Sequence, residues 1–299
     1  MKKFALFIML LHIFLSSNLT AKAIDKTCYD TNMKRDILVL MMSYPEYVID
    51  VNKGDNGNVY IIMKSGKKIL YDDKIEKSFE QKLANPDLQD TLEQIYPLNS
   101  VNDLMEKNFD PGRFRNYELL TEVYGSSRKQ VEKNLVNVTA GGSFQFNKNN
   151  KASDSLKRAM KELQVLAGQN KKIAGCIYPC SGTYNYRTIA GTNRLSPHSF
   201  GNTIDLARDK RDYWKWATED QGKQRLQSYP NEIPEAFEKN NFIWGGKWNH
   251  FDILHYEYRP EIILKSRYFG NCNNTKLWYE GVPLDDNKIR GYIEKIEKI

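Results

Sequence analysis

Apolar positions fall into runs of different period along the chain. Phe4 to Leu15 is almost wholly apolar, follows Lys2 and Lys3, and gives way to small and polar residues ending in Ala21-Lys22-Ala23. A membrane-crossing helix needs about 20 such residues. This run is shorter, and its charged start and A-x-A end are those of a cleavable secretory signal over residues 1–23. Residues 33–46 carry apolar side chains at mixed spacing and predict a short helix at their start. From Tyr47 the pattern changes to β-rich runs. Tyr47-Val48-Ile49, Val59 to Met63 and Ile69-Leu70-Tyr71 are separated by Asn52 to Gly57 and by Lys64 to Lys68, which predicts a hairpin or meander.

Helical patterns follow at 74–84 and 87–95, and Asp110-Pro111-Gly112 breaks them. Phe114 to Tyr124 and Arg128 to Val136 read as helical or mixed, and Gly141-Gly142 opens a strand through Phe146. Ala152 to Val165 is an amphipathic helix, with Leu156, Met160 and Leu163 among its apolar positions. Ile173 to Thr192 reads as β-like, 212–217 and Glu232 to Lys239 as helical, and Phe242 to Tyr258 as β-rich. Ile289, Tyr292, Ile293 and Ile296 form a helical stripe in the tail. No internal repeat is present. Separated helices and turn-linked strands point to an α+β fold rather than a regular β-α alternation.

The chain has 299 residues, 40% hydrophobic and 27% charged, which excludes a disordered, collagen-like or polytopic membrane protein. Removing residues 1–23 takes away Lys2, Lys3 and Lys22 and lowers the net charge from +7 to +4. The expected mature protein is exported, to a periplasm or beyond the cell, with no stable membrane insertion. A mild positive charge there suits an anionic polymer or cell envelope. No basic block with interleaved aromatics is present, which argues against nucleic acid as a partner. All four cysteines survive processing, and an even count in an exported chain points to disulfides. Local closure favours Cys176–Cys180, which leaves Cys28–Cys272. A zinc ribbon needs two close cysteine pairs, and only one exists.

Three histidines remain in the mature chain: His198, His250 and His255. One cluster reads Ser196-Pro197-His198-Ser199-Phe200-Gly201-Asn202-Thr203-Ile204-Asp205, and the other includes His250-Phe251-Asp252-Ile253-Leu254-His255. A catalytic zinc takes three N/O protein ligands and keeps a fourth position open. A free carboxylate beside it can then move the proton of the attacking water. Residues 202–207 alternate as a strand, with Thr203, Asp205 and Ala207 on one face and Ile204 and Leu206 toward the core. A carboxylate on such a strand needs a partner, and a metal is a suitable one. Asp252 and His255 are three apart, so they share no face of a straight strand. Asp252 is therefore expected in a turn or bulge leading into the strand that carries His255.

The first cluster resembles the S-x-H-x-x-G-x-A-x-D motif of the zinc D-alanyl-D-alanine carboxypeptidase family (VanY-like), which also contains L-alanyl-D-glutamate endopeptidases. The second is similar to that family's [ED]-x-x-H motif, with Asp252 in the acidic place. Trp244-Gly245-Gly246-Lys247-Trp248 and His255 to Glu261 look like its secreted bacterial branch. The resemblance covers roughly residues 140–265, and more loosely Tyr71-Asp72-Asp73 and Asp110 to Arg113.

It implies one zinc per chain held by His198, Asp205 and His255, with Asp252 as general base and proton donor. Ser196 would hydrogen-bond near the substrate or support the site, and Arg187, on the strand before the first cluster, would steady the oxyanion. The implied substrates are peptidoglycan stem peptides, cut at a D,D-carboxypeptidase or L-Ala-D-Glu-type bond. A zinc-containing cell-wall binding module without turnover is the alternative, because the family's fold is similar to the Hedgehog signalling domain. The implied fold is α+β, a Hedgehog/DD-peptidase-like antiparallel sheet with packed helices, plus a small N-terminal α/β segment. The expected organisation is signal peptide 1–23, N-terminal accessory region 24–110, zinc peptidase domain 111–270 and C-terminal helical tail 271–299. Thr203 departs from the motif's Ala and needs a hydrogen-bond partner if buried. His250 is extra to the motif, with a surface position as its default. Trp244, Trp248, Tyr256 and Tyr258 are expected in the core.

Overall fold

The computed structural model describes residues 28–270 and 277–299. The expected signal segment and Cys272, the expected partner of Cys28, lie outside the described residues. No helix among those described is long and apolar enough to cross a membrane.

Helix α1 (28–43) explains the mixed apolar spacing near the start of the chain. Ile37, Leu38, Val39, Leu40 and Met41 are all 0% exposed, so this part of the helix is surrounded rather than laid on a surface, and no single stripe is needed there. Its polar groups are paired across the fold. Lys265 Nζ lies 2.6 Å from Asp36 Oδ1, and Tyr71 donates to Asp36 Oδ2 at 2.8 Å. Strands β1 (Val48–Lys53), β2 (Val59–Met63) and β3 (Lys68–Leu70) form the antiparallel meander that the turn signals predict. Short helices α2 (Phe79–Ala84) and α3 (Leu88–Leu92) follow, each opened by a capping box, at Ser78 and at Asp87.

Helices α4 (Tyr117–Tyr124) and α5 (Arg128–Lys133) precede a two-stranded sheet of β4 (Leu135–Thr139) and β5 (Ser143–Asn147). Helix α6 (Ala152–Gln169) turns its buried face, including Leu156, Met160 and Leu163, to the core. Residues 173–177, read as β-like, belong instead to helix α7 (Lys171–Ile177). Asn170 caps it by accepting from Lys172 N, and the buried Ile173 and Ile177 sit four apart on one helical face.

The sheet that carries the site has the order β6 (Thr203–Asp205), β8 (His255–Tyr258), β7 (Phe242–Trp244), all antiparallel. The central strand β8 is buried throughout. One face is aromatic: Phe237 stacks on Tyr256 with ring centroids 4.1 Å apart, and Phe242 meets Tyr258 edge-on. Trp244, Trp248, Tyr256 and Tyr258 are all buried, as expected of core residues. The alternate positions of β8, His255 and Glu257, are buried polar groups on the other face.

Helix α8 (Glu219–Ser228) has no counterpart in the apolar pattern, although Thr218 and Gln221 form its capping box. Helices α9 (Glu232–Lys239), α10 (Pro260–Phe269) and α11 (Asn287–Ile296) complete the fold. The helix expected at 212–217 is absent. This stretch runs beside 251–253, with Trp214 N donating to Phe251 O at 3.0 Å and Ile253 N to Asp212 O at 2.7 Å. Its backbone groups are satisfied across the gap, not along a helix.

The fold is thus α+β, with small antiparallel sheets and packed helices. The expected Cys176–Cys180 disulfide is not formed, and both are free thiols. Cys176 is buried in α7 with Arg225 Nη1 3.6 Å from its sulfur, whereas Cys180 directs its sulfur to Ile177 O at 3.3 Å. The two sulfurs thus engage different partners. Cys28 is an exposed thiol.

Candidate metal centre

His198 sits in a turn of 3-10 helix, Pro197–Phe200, which Gly201 ends with a positive φ of 67°. That conformation calls for glycine, and a Cβ there would also press on Leu135 Cδ2 at 2.6 Å. The turn delivers the chain into β6, where Asp205 is the cross-strand partner of His255. Two strands about fifty residues apart thus bring their polar faces together.

His198 Nε2 lies 3.2 Å from Asp205 Oδ2, and His255 Nδ1 lies 2.8 Å from Asp205 Oδ1. One ligand atom from each of the three residues falls within 4.8 Å of the others. The outer ring nitrogens are held separately. His198 Nδ1 is 2.5 Å from Thr183 O, and His255 Nε2 is 3.0 Å from Glu257 Oε1. Fixing the far nitrogen of each imidazole orients the near one, as in metal-binding histidines. Two imidazoles and a carboxylate suit zinc chemically, so the donor set fits such an ion.

Glu257 is itself buried at 1% exposure and gripped by Arg115, whose Nε donates to Oε2 at 2.9 Å and whose Nη2 donates to Oε1. Burial works against its charge, but Arg115 and His255 overcome this and hold its carboxyl well below the usual carboxylate range. Asp205 is likewise penalised by burial, yet its two histidine partners hold it low. Burial would lower the pKa of His255, but hydrogen bonds and charge from Asp205 and Glu257 raise it to about 10. Asp252 shows the opposite balance. Burial pushes its carboxyl up to about 7, with His255 and His198 pulling down and Asp205 pushing further up.

Asp252 occupies the expected irregular approach to β8, pairing as an isolated bridge with Tyr213. Its N–H donates to Gly245 O at 2.9 Å. A Cβ on Gly245 would lie 2.4 Å from Asp252 O, so the Trp-Gly-Gly-Lys-Trp turn requires glycine there to seat this segment. Thr203, fully buried, donates to Asn202 Oδ1 at 3.2 Å and so finds the partner its hydroxyl needs.

A cavity of about 410 Å³ opens onto the cluster. Ser196, His198, Asp205, Asp252 and His255 all line it, together with Arg187. Ser196 is buried at 2% exposure. Arg187 lies in an irregular extended segment instead of a regular strand. Its N–H donates to Ser199 Oγ at 2.9 Å, and its carbonyl accepts from Ser196 N at 2.9 Å. Its side chain is exposed, and no carboxylate lies within ion-pair distance of it among the described residues.

His250 also lines the cavity but is not among the clustered ligand atoms. It is not a plain surface residue. Its Nδ1 lies 2.6 Å from the fully buried Asp110, its ring stacks on Phe79, and Trp214 meets it edge-on at 4.6 Å. Sequence reasoning assigned no role to Glu257, Arg115, Thr183 or Asp110. Glu257 lies two residues after His255, but Arg115 is 142 positions from the carboxylate it holds, without a local signal.

Residues 190–258 match the family model described as D-alanyl-D-alanine carboxypeptidase. The matched stretch contains both motifs and every clustered ligand. The match supports, over this segment of the chain, the family that the two motifs resemble. Searches of curated proteins and of solved structures give no match. The matched segment spans β6 to β8, while Arg115, Asp110 and Thr183, which hold its side chains, come from outside the matched residues.

Proposed function

We propose that this chain is an exported zinc peptidase that hydrolyses an amide bond in the stem peptides of peptidoglycan. The observation that carries the reading is the convergence of His198, Asp205 and His255 on one point, with Asp252 facing the same cavity. His198 through Nε2, Asp205 through its carboxylate and His255 through Nδ1 would hold one zinc ion. When bound, the ion supplies Lewis-acid polarisation of the attacked carbonyl and lowers the pKa of water from about 16 to about 7.

The remaining duties fall to side chains. Asp252 takes the proton of the attacking water and returns it to the departing amine. The Arg187 guanidinium, unpaired with any carboxylate among the described residues, offers positive charge to the developing oxyanion. Ser196, a buried residue lining the cavity, hydrogen-bonds the substrate beside His198. The exported location rests on the signal pattern of residues 1–23, and the same reading takes the β6-β8-β7 sheet and its helices as a Hedgehog/DD-peptidase-like fold.

Elemental analysis together with mass spectrometry of digested muropeptides tests this function. The expected result is one zinc per chain and a new amine released at one stem-peptide bond. The fragment pair identifies the D,D- or L-Ala-D-Glu-type bond. Full activity after chelation, or tight association with muropeptides and no released amine, overturns the proposed mechanism. The latter result would favour a binding module.

A further inference from the structure

The wall of the cavity formed by residues 208–216 carries charge that the proposed hydrolysis does not use. This segment reads Arg208-Asp209-Lys210-Arg211-Asp212-Tyr213-Trp214-Lys215-Trp216. Its two acids are already engaged: Asp209 by Arg211 at 2.7 Å and Asp212 by Arg225 at 2.8 Å. Among the described residues, no carboxylate lies within ion-pair distance of Arg208, Lys210 or Lys215. Arg208 instead rests over the Trp216 ring, its guanidinium carbon 4.4 Å from the ring centroid. Tyr213 supports Trp216 edge-on, with centroids 4.9 Å apart. The indole remains 58% exposed, which is unusual for so large an apolar group.

Arg208, Lys215 and Trp216 line the same cavity as the metal cluster. Arg208 and Trp216 also line a second cavity of about 430 Å³, with Lys210 and Gln221. The two spaces therefore share a wall, and a substrate held at the cluster has a basic, aromatic path leading away from it. A guanidinium lying on an aromatic ring loses little further freedom when its N–H groups meet a carboxylate.

We propose that Arg208 on Trp216, flanked by Lys210 and Lys215, is a subsite for a free carboxylate of the substrate remote from the bond that is cut. This rests on the peptidase reading above and narrows its substrate class to stem peptides with free carboxylates, against those in which the same groups are carboxamides. A carboxamide offers no negative charge and turns N–H donors toward cationic donors.

The test uses the full-length mature chain loaded with zinc and one synthetic stem peptide prepared in free-acid and carboxamide forms. Equilibrium binding and hydrolysis are measured for both. The free acid is expected to bind about tenfold more tightly, as one charge-assisted hydrogen bond can provide. That preference should shrink with added salt. In Arg208→Ala the two affinities should converge while zinc content is kept, and Arg208→Lys should restore part of the difference. Equal affinity for the two forms in the wild type, no binding of either, or an undiminished preference in Arg208→Ala overturns the subsite. Preferential binding of the free acid without cleavage would instead count against the peptidase reading alone.

Discussion

His255 Nε2 lies 3.0 Å from Oε1 of Glu257, and that carboxylate is held in turn by Arg115. The chain Arg115–Glu257–His255 leaves Nδ1 as the nitrogen that faces Asp205 and the cavity. Glu257→Gln should keep all three ligands yet weaken zinc binding about 10- to 100-fold, the usual effect of losing such a supporting group. Competition with a coloured chelator measures this, with circular dichroism to verify the fold. Unchanged zinc affinity in a folded variant would show that Glu257 does not orient the imidazole.

Metal content and turnover should separate cleanly between residues of the cavity. His198→Ala should lose both the ion and activity. Asp252→Asn should keep one zinc per chain while kcat falls about 100- to 10,000-fold, the range for a general acid–base group. His250→Ala should also retain the ion, because its Nδ1 is committed to Asp110. Loss of zinc from the last variant would place His250 among the ligands.

Gly245 bears on the chemistry without touching substrate. A methyl group there would meet the Asp252 carbonyl, so Gly245→Ala should displace Asp252, the proposed general base. The expected signature is a kcat reduced by about tenfold or more, with zinc affinity and KM nearly unchanged. Equal losses in zinc binding and turnover would mean that the substitution disturbs the whole site.

Burial pushes the Cys180 thiol up to about 12. The thiolate is the reactive form. Its fraction therefore falls about tenfold for each pH unit below that value, and alkylation of the folded protein at pH 8 should be slow. The folded state favours the neutral thiol, so this group's contribution to stability is present at neutral pH and is lost as pH rises from about 9 through 12. Peptide mass mapping after brief iodoacetamide treatment follows Cys180 directly. Rapid labelling at pH 8 in the folded state would contradict the raised thiol pKa of this half-buried residue.

Lys265 Nζ lies 2.6 Å from Asp36, a carboxylate at 2% exposure in α1. Lys265→Met should destabilise the chain by about 3–5 kcal/mol, since a buried charge loses its partner. Chemical denaturation of the metal-free protein reads this without involving the site. A loss below about 1 kcal/mol would mean that Asp36 is protonated or reached by water in the variant.

Much of the site was legible because its residues lie in two short segments. His198 and Asp205 flank a glycine turn that leads into a strand, and Asp252 and His255 have a spacing that only an irregular approach can serve. The β-meander was legible too, since Gly57 and Gly66 mark its turns with positive φ. The groups that steady the site were not. Arg115 and Asp110 act across the fold, and no periodicity records such a contact. Helix α1 lacked a clear stripe because residues 35–41 are buried on all sides. Helix α7 was misread because β-branched Ile173 and Ile177 look strand-like until their four-residue spacing is weighed.

Asp205 and His255 face each other across neighbouring strands of one sheet. An ion gripped by both would act as a stitch between segments that the chain brings together only late in its path. Sliding either strand by one position would turn one ligand to the aromatic side and release the stitch. Metal occupancy would thus serve as a proofreading signal for correct strand alignment, and a chain that matured without the ion would lack that check.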